Sequence, residues 1–333
     1  MTKQAATSTL LAILCCYCLG AAPPKSAASV NAVQDYFPPS QLIDFAASPD
    51  GRWITAYAAD GTLLLWETAT GHRRDLISHT EVSLYGLAFT PNSSSLLVGD
   101  ANGLIQLLEI PSGNVLRKMQ DRKWVEQFAF SADGSRLASL HDEGITIWDM
   151  KTGTELRHVP EKARFSAMAL NRDGSLLMTG SEDSKIRILD LSQDRQIAEM
   201  ELEPKDWVNF FLVDEENGKL ISAQGQGDIS IWDISTGKKL KILKGHKDQV
   251  VWLLLLQQAQ TLVSVADDET MKTWDCATGA LLSTWSVMPG FVTANGDRLI
   301  SLDSESGHEI QIWSIASQEK IRTLKYRSPA EKE

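Results

Sequence analysis

The sequence feature that most constrains the fold of this chain is a repeat of about forty residues. Seven apolar segments end in Trp or Leu, and the next residue is acidic in six of them and Ser in the last. These end positions lie 42, 40, 41, 43, 42 and 39 residues apart, at Trp66, Leu108, Trp148, Leu189, Trp232, Trp274 and Trp313. Intervals this regular predict one unit repeated seven times, although 333 residues alone would favour two domains.

The clearest copy of the unit runs from Lys244 to Trp285. It opens with Gly245-His246, its third apolar run ends in Trp274-Asp275, and turn residues separate its four short apolar runs. Four such runs predict four antiparallel strands. A unit of this length that starts with Gly-His and ends with Trp-Asp resembles the WD-repeat family.

The resemblance implies an all-β fold, a seven-bladed β-propeller of four-stranded antiparallel blades over residues 41–326. A single four-stranded sheet cannot bury both faces, whereas blades stacked around a closed ring can. The chain offers a first strand at 41–47 and a fourth strand at 320–326. Each blade is therefore predicted to be continuous in sequence, and an added outer strand from residues 30–37 remains an alternative.

The resemblance also implies a buried polar network in each complete blade. Its members in the clearest copy are His246, Ser264, Asp268 and Trp274, which in the family hydrogen-bond in series. Each group buried alone would cost about 1–3 kcal/mol, so the four are predicted to be structural rather than catalytic. Other copies keep parts of the pattern, including the tight-turn acids and one further histidine, at Asp60, Asp142, Asp183 and His79.

The N-terminal segment is predicted to be a secretory signal peptide, residues 1–22. Its apolar run at 9–19 is too short to span a bilayer, and small residues follow it at 20–22. Residues 23–40 form a polar lead-in with prolines, and residues 327–333 are predicted to be a disordered tail. The expected location is therefore outside the cytoplasm, either periplasmic or secreted.

Three of the four cysteines fall in the predicted signal peptide and leave Cys276. It follows Trp274-Asp275 in a turn, which predicts a position near the surface, and no activating base lies beside it. The net charge of −11 argues against nucleic acid and anionic membranes as partners. A monomeric ring with no membrane span after signal removal is expected.

The chain contains no GxSxG, HExxH, CxxC or phosphate-binding glycine motif. Acidic residues follow His141, but the repeat pattern places Asp142 on a tight turn, and His141 beside it is predicted to be solvated. The predicted innermost strands are mainly apolar or small, as at 87–89 and 168–170. These features predict no enzymatic activity, no metal and no cofactor. The alternative is a secreted propeller hydrolase or small-ligand binder that uses the central channel.

The resemblance to WD-repeat proteins implies that the chain is a non-catalytic scaffold that binds a protein or peptide partner. It also implies that the binding surface is the loop face, which carries the inter-blade loops and the tight turns between second and third strands. Trp124 and Trp207 lie beside first strands and are not part of the repeat signature. Each is either a binding anchor or a ring that packs over the end of its own blade. The candidate partner-binding residues are Tyr85, Trp124, Glu126, Arg164, Trp207 and Asn209.

Overall fold

The computed structural model describes the predicted propeller almost completely, at residues 41–78, 80, 82–160, 163–256, 260–293, 296–303 and 306–327. The predicted signal peptide, the lead-in with its possible outer strand, His79 and the tail after Arg327 lie outside the described residues. Among the described residues, no helix has the length and apolar character needed to cross a membrane.

The described strands form seven sheets, and each sheet contains four consecutive antiparallel strands. This arrangement confirms the all-β, seven-bladed propeller and shows that each blade is continuous in sequence. The first strand of each blade lines a central cavity, and the fourth strand lies at the outer edge. The bounds of the strands are given below by blade.

Blades 1 to 4 contain β1 (Leu42–Ala47), β2 (Trp53–Ala58), β3 (Leu63–Glu67), β4 (Arg73–Ile77), β5 (Leu84–Phe89), β6 (Ser95–Asp100), β7 (Leu104–Glu109), β8 (Val115–Gln120), β9 (Gln127–Phe130), β10 (Arg136–His141), β11 (Gly144–Asp149), β12 (Thr154–Pro160), β13 (Phe165–Leu170), β14 (Leu176–Ser181), β15 (Lys185–Asp190) and β16 (Arg195–Glu201). Blades 5 to 7 contain β17 (Val208–Asp214), a 3₁₀ turn (Glu215–Asn217), β18 (Lys219–Gln224), β19 (Ile229–Asp233), β20 (Lys239–Leu243), β21 (Val250–Leu256), β22 (Thr261–Ala266), β23 (Thr270–Asp275), β24 (Leu281–Ser286), β25 (Gly290–Val292), β26 (Arg298–Leu302), β27 (Glu309–Ser314) and β28 (Lys320–Lys325).

The hydrophobic core lies between neighbouring blades. Both faces of the second strand are covered, so every residue of Trp53–Ala58 is buried. Between blades 5 and 6, Ile221 and Ile231 belong to the same buried cluster as Leu253 and Trp274. Burial of apolar surface on both faces of a strand is possible because each blade covers the next.

The ring closes where blade 7 meets blade 1. The Tyr326 hydroxyl donates to Asp60 Oδ2 at 2.6 Å, and the Arg322 guanidinium donates to the carbonyl oxygens of Ala69 and Thr70 at 2.9 and 3.0 Å. An apolar cluster that includes Phe45 continues across the same boundary. The described residues therefore close the ring through contacts between blades 7 and 1, each of which has its own four strands.

The first strand of blade 7 is the shortest of the described strands, with three residues. It begins at Gly290, where an added Cβ would lie 2.1 Å from the carbonyl oxygen of Ile300. Only glycine permits this close approach of the two backbones.

Candidate functional site at the mouth of the central channel

The seven innermost strands surround a central channel that contains a cavity of about 520 Å³, lined by residues of every blade. Much of the wall is aromatic. The rings of Phe45 and Phe291 lie 4.7 Å apart, those of Trp252 and Phe291 4.8 Å, and those of Phe210 and Trp252 4.7 Å. These contacts join the wall from blade 5 through blades 6 and 7 to blade 1, so the cavity has a packed, preformed surface.

β-Bulges interrupt five of the innermost strands near the loop face. A bulge inserts one residue and changes the face to which the following side chains point. The register shifts lie between Leu42/Asp44, Tyr85/Leu87, Phe165/Ala167, Val208/Phe210 and Val250/Trp252. This geometry explains why polar side chains of these strands reach the channel.

Three carboxylates, Asp44, Glu126 and Asp267, lie on the wall of the mainly apolar cavity. Asp44 is half-buried, and its side chain borders the cavity. Burial raises the pKa of Asp44 to about 7, and the hydrogen bond from the Phe45 N–H at 2.8 Å opposes the shift. The prediction of mainly apolar or small inner-strand residues is therefore correct for most of the wall, but it did not place Asp44 or Asp267 at the channel.

The structure brings the six candidate partner-binding residues together as three pairs. The rings of Tyr85 and Trp124 are 5.4 Å apart, across the boundary between blades 2 and 3. An Arg164 guanidinium nitrogen lies 3.8 Å from Glu126 Oε1, between blades 3 and 4. In blade 5, Trp207 Nε1 donates to Asn209 Oδ1 at 2.8 Å. All six lie at or next to the start of an innermost strand, where the inter-blade loop enters, and two of them, Glu126 and Asn209, line the channel.

None of the six candidate side chains is fully exposed. Glu126 and Asn209 are only 8 % and 3 % exposed, because the start of each innermost strand turns them toward the channel. The other four candidates are half-buried. Burial also raises the pKa of the Tyr85 hydroxyl, and a hydrogen bond with Ser83 opposes this shift.

Trp207 has a clear packing role. A Cβ added to Gly225 would lie 2.2 Å from the Trp207 ring, so the indole lies directly over the end of β18 in its own blade. Asn209, which accepts from this indole, donates to Gln249 Oε1 at 3.3 Å, and Gln249 donates to Asp267 Oδ2 at 2.6 Å. A polar chain therefore runs along the mouth from blade 5 to blade 6, and Trp207 is its first member.

The predicted network of blade 6 is present as a continuous chain of hydrogen bonds. Trp274 Nε1 donates to Ser264 Oγ at 2.8 Å, and Ser264 Oγ lies 2.7 Å from His246 Nε2. His246 Nδ1 lies 3.1 Å from both carboxylate oxygens of Asp268. Because an ionised carboxylate only accepts, Nδ1 carries the proton and Ser264 donates to Nε2. Burial lowers the pKa of His246 against the opposing effect of Asp268, so the imidazole is neutral.

Blade 3 contains a second network that the sequence did not predict. Trp148 Nε1 donates to Ser139 Oγ at 2.8 Å, and Ser139 donates to Asp121, which lies in the loop between blades 2 and 3. Thr146 also donates to Asp121, at 2.9 Å. His141 Nε2 is 3.2 Å from Thr146 Oγ1, and its Nδ1 accepts the Glu143 N–H at 3.2 Å.

The prediction that His141 is solvated is wrong. It is the last residue of β10 and is 1 % exposed, because β10 extends up to the tight turn and directs this side chain inward. Burial lowers the pKa of His141, and the nearby Asp121 opposes the shift. Asp142 lies on the tight turn, as predicted, and is exposed.

The predicted surface position of Cys276 is also wrong. Its side chain belongs to the buried cluster between blades 5 and 6, and its N–H donates to the carbonyl oxygen of Gln260 at 3.0 Å. Burial raises the pKa of the thiol, which disfavours the reactive thiolate. Within the described part of the chain, no group of three or more His, Cys, Asp or Glu side chains is arranged to hold a metal ion.

The fold and networks define a seven-bladed propeller of the WD type, and comparisons with known proteins agree. Residues 27–67, 154–190 and 237–275 match the family described as WD domain, G-beta repeat. These segments cover the inner strands of blades 1, 4 and 6. The chain belongs to the WD-repeat β-propeller family, whose members are generally non-catalytic scaffolds for protein interactions.

Curated relatives are similar over most of this chain at low identity. WD repeat-containing protein SL1-17 of Schistosoma mansoni is 25 % identical over 71 % of this chain and 79 % of its own length. The U3 small nucleolar RNA-associated protein 15 homolog of Xenopus tropicalis is 25 % identical over 73 % of this chain and 46 % of its own length. The serine-threonine kinase receptor-associated protein of Gallus gallus is 21 % identical over 71 % of this chain and 67 % of its own length.

Proposed function

We propose that this chain is a non-catalytic scaffold that binds a protein or peptide partner at the loop-face mouth of its central channel. The observation that carries the proposal is the arrangement of Tyr85, Trp124 and Arg164 around an opening with acidic side chains. Half-buried aromatic and Arg side chains beside a concave opening are typical anchors of protein interfaces. The names of the similar proteins refer to different settings, so they support a shared ring rather than a shared partner.

The contacts at the mouth distinguish the two tryptophans. Trp207 lies over Gly225 and donates to Asn209, so it supports the wall of the channel. Trp124 contacts Tyr85 across a blade boundary. We assign the anchor role to Trp124 and Tyr85 and a supporting role to Trp207.

The test uses a peptide selected from a random library on the immobilised propeller. Trp124→Ala is expected to weaken binding of the selected peptide by about 2 kcal/mol, the cost of losing an interface anchor. The matched control is Leu282→Ala, which removes a side chain 57 % exposed on the outer strand of blade 6. Calorimetric titration of each variant measures the peptide affinity, and a thermal melt shows that each remains folded.

Two outcomes would separate the alternatives. Retention of affinity by Trp124→Ala together with its loss in Leu282→Ala would contradict a site at the mouth and favour the outer strands.

Trp207→Ala is expected to lower the melting temperature as well as the affinity, because it removes the ring over Gly225.

We further propose that the scaffold acts outside the cytoplasm, in the periplasm or as a secreted protein. The support is the apolar run at 9–19, followed by small residues at 20–22. Expression of the full chain in its source cells, followed by fractionation and N-terminal sequencing, tests this. A chain that begins near residue 23 in the exported fraction is expected, whereas an intact N-terminus in the cytoplasm would contradict export.

A further inference from the structure

The central cavity has the size and construction of a ligand site in its own right. Its volume of about 520 Å³ falls within the range of about 300–1,000 Å³ that small-molecule pockets occupy. All seven innermost strands contribute to its wall, so its shape is set by the ring itself. The consecutive ring contacts of Phe210, Trp252, Phe291 and Phe45 give it an aromatic surface.

The charged side chains that line this cavity are all acidic. Its described lining residues include the carboxylates of Asp44, Glu126 and Asp267 and no Lys, Arg or His. Glu126 has Arg164 within 3.8 Å, and Asp267 accepts a hydrogen bond from Gln249. A carboxylate in a low-dielectric wall that has no basic lining residue attracts a cation, and the nearby Arg164 weakens this effect at Glu126.

Asp44 has the least compensation of the three. Among the described residues, the one hydrogen bond at its carboxylate comes from the N–H of Phe45, which follows it in β1. On the strands next to β1, the titratable residues are Tyr57 in β2, which is the register partner of Asp44, and Tyr85 in β5. β25 has no titratable residue, and the other acids of the wall are Glu126 and Asp267. The structure therefore places a weakly compensated carboxyl group in the wall of the same cavity as the aromatic rings.

We propose that the central channel binds an alkylammonium group, with the cation beside Asp44 and its hydrocarbon part against the aromatic wall. Aromatic faces and a carboxylate together favour an organic cation. One carboxylate oxygen is engaged by the backbone, so the site suits a compact ammonium better than the two-pronged bonding of a guanidinium. A divalent metal would require about six oxygen ligands, which a single free carboxylate does not supply.

The same chemistry could come from a free amine or from a lysine side chain of a partner. Binding of a partner lysine rests on the proposed scaffold function, because the partner at the mouth would insert its lysine side chain into the channel. The first source is independent of that function. Separate probes therefore distinguish them.

The test compares n-hexylamine with n-hexanol, which has the same chain without the charge, by calorimetric titration of the mature propeller at pH 8. Asp44→Asn is expected to weaken hexylamine binding by roughly tenfold or more while hexanol binding changes by less than about threefold. Asp142→Asn is the matched control, since it removes the same charge from an exposed turn. Equal hexylamine affinity in wild type and Asp44→Asn, or tighter binding of hexanol than of hexylamine, would overturn the proposal.

A measurement on the wild type alone guards against misfolding of the variant. Burial raises the pKa of Asp44 to about 7, so its carboxylate is mostly protonated at pH 5.5 and mostly ionised at pH 8. Hexylamine affinity, measured by calorimetric titration at each pH, is expected to fall as the pH is lowered between these values. Affinity that is independent of pH would contradict a role for Asp44.

A capped lysine, N-acetyl-lysine methylamide, distinguishes the sources. Competition between this probe and the selected peptide would assign the channel to a partner lysine. Binding of hexylamine without competition would assign it to a free amine, and this result stands even if the scaffold proposal fails. Conversely, loss of peptide binding in Trp124→Ala with no hexylamine binding to the wild type would retain the scaffold and reject the channel site.

Discussion

Blades 6 and 3 each contain a buried hydrogen-bond network, but the positions that supply the carboxylate and the imidazole are exchanged between them. In blade 6 the inter-blade loop supplies His246 and the tight turn supplies Asp268. In blade 3 the inter-blade loop supplies Asp121, and the imidazole of His141 comes from the end of the second strand. In both, a strand serine accepts from the indole of the blade tryptophan, Trp274 or Trp148, at 2.8 Å.

The two imidazoles also have opposite tautomers. His246 donates through Nδ1 toward a carboxylate, whereas Nδ1 of His141 accepts a backbone N–H, which leaves its Nε2 to donate. What the blade requires is therefore a closed series of donors and acceptors between loop, strands and turn. The residue that supplies each member can change as long as every buried group keeps a partner.

The largest effect is expected from Asp121→Ala in blade 3. Asp121 accepts from Ser139 and Thr146 and lies 3.5 Å from His141, so its removal leaves several buried groups without their acceptor. We expect a loss of about 3 kcal/mol in the free energy of unfolding, measured by urea denaturation followed by tryptophan fluorescence.

The control for this substitution is Asp142→Ala. Asp142 occupies the signature turn position but is exposed, so a change within about 0.5 kcal/mol is expected. A larger loss in Asp142→Ala than in Asp121→Ala would show that the turn, and not the inter-blade loop, holds blade 3 together.

A smaller contrast is expected between the strand hydroxyls of blades 6 and 4. Ser264→Ala removes the acceptor of Trp274 Nε1 and should cost about 1–2 kcal/mol. Thr179 occupies the corresponding position in blade 4, opposite Arg187, and its buried Oγ1 has no hydrogen-bond partner among the described residues. Thr179→Val should therefore be neutral or stabilising by up to about 1 kcal/mol. A marked loss of stability in Thr179→Val, measured in the same urea series, would indicate that this hydroxyl has a partner.

The smallest effect concerns pH. Burial holds the pKa of His246 below its ordinary value of 6.5, so the unfolded chain binds a proton at a higher pH than the folded ring does. The stabilising contribution of the neutral imidazole is complete above pH 6.5 and decreases as the pH falls below it. His246→Gln should lose less stability than the wild type between pH 7 and 5.5, by about 1 kcal/mol. Equal losses across this range would show that His246 does not titrate differently on folding.

The sequence predicts the ring well, because the blade ends are local and periodic. The Trp-Asp pairs, the reverse turns and the four-part network of blade 6 can all be read from spacing. Asp121 could not be found in this way, since its partners lie 18 and 25 residues further along the chain and its residue type differs from the repeat signature. Substitution within a hydrogen-bonded network preserves the geometry but removes the pattern by which a sequence search recognises it.

The mouth of the channel was only partly predictable for a different reason. Alternation along a strand fixes which residues share a face, but a bulge changes that face after one inserted residue. Asn209 lies in the register shift of β17, and its side chain faces the channel rather than the solvent outside the loop face. Asp44 did carry a signal, because it is an acid within the apolar segment Leu42–Ala47.

The seam between Tyr326 and Asp60 has a consequence for how the chain reaches its native state. Most blade boundaries join segments that follow one another, so successive blades can stack as they leave the ribosome. The seam joins residues separated by 266 positions, and it depends on the last strand. Contacts between such distant segments form slowly because a long loop must close first. We therefore expect the apolar flank of blade 1 to stay uncovered through most of translation and ring closure to be the final folding step.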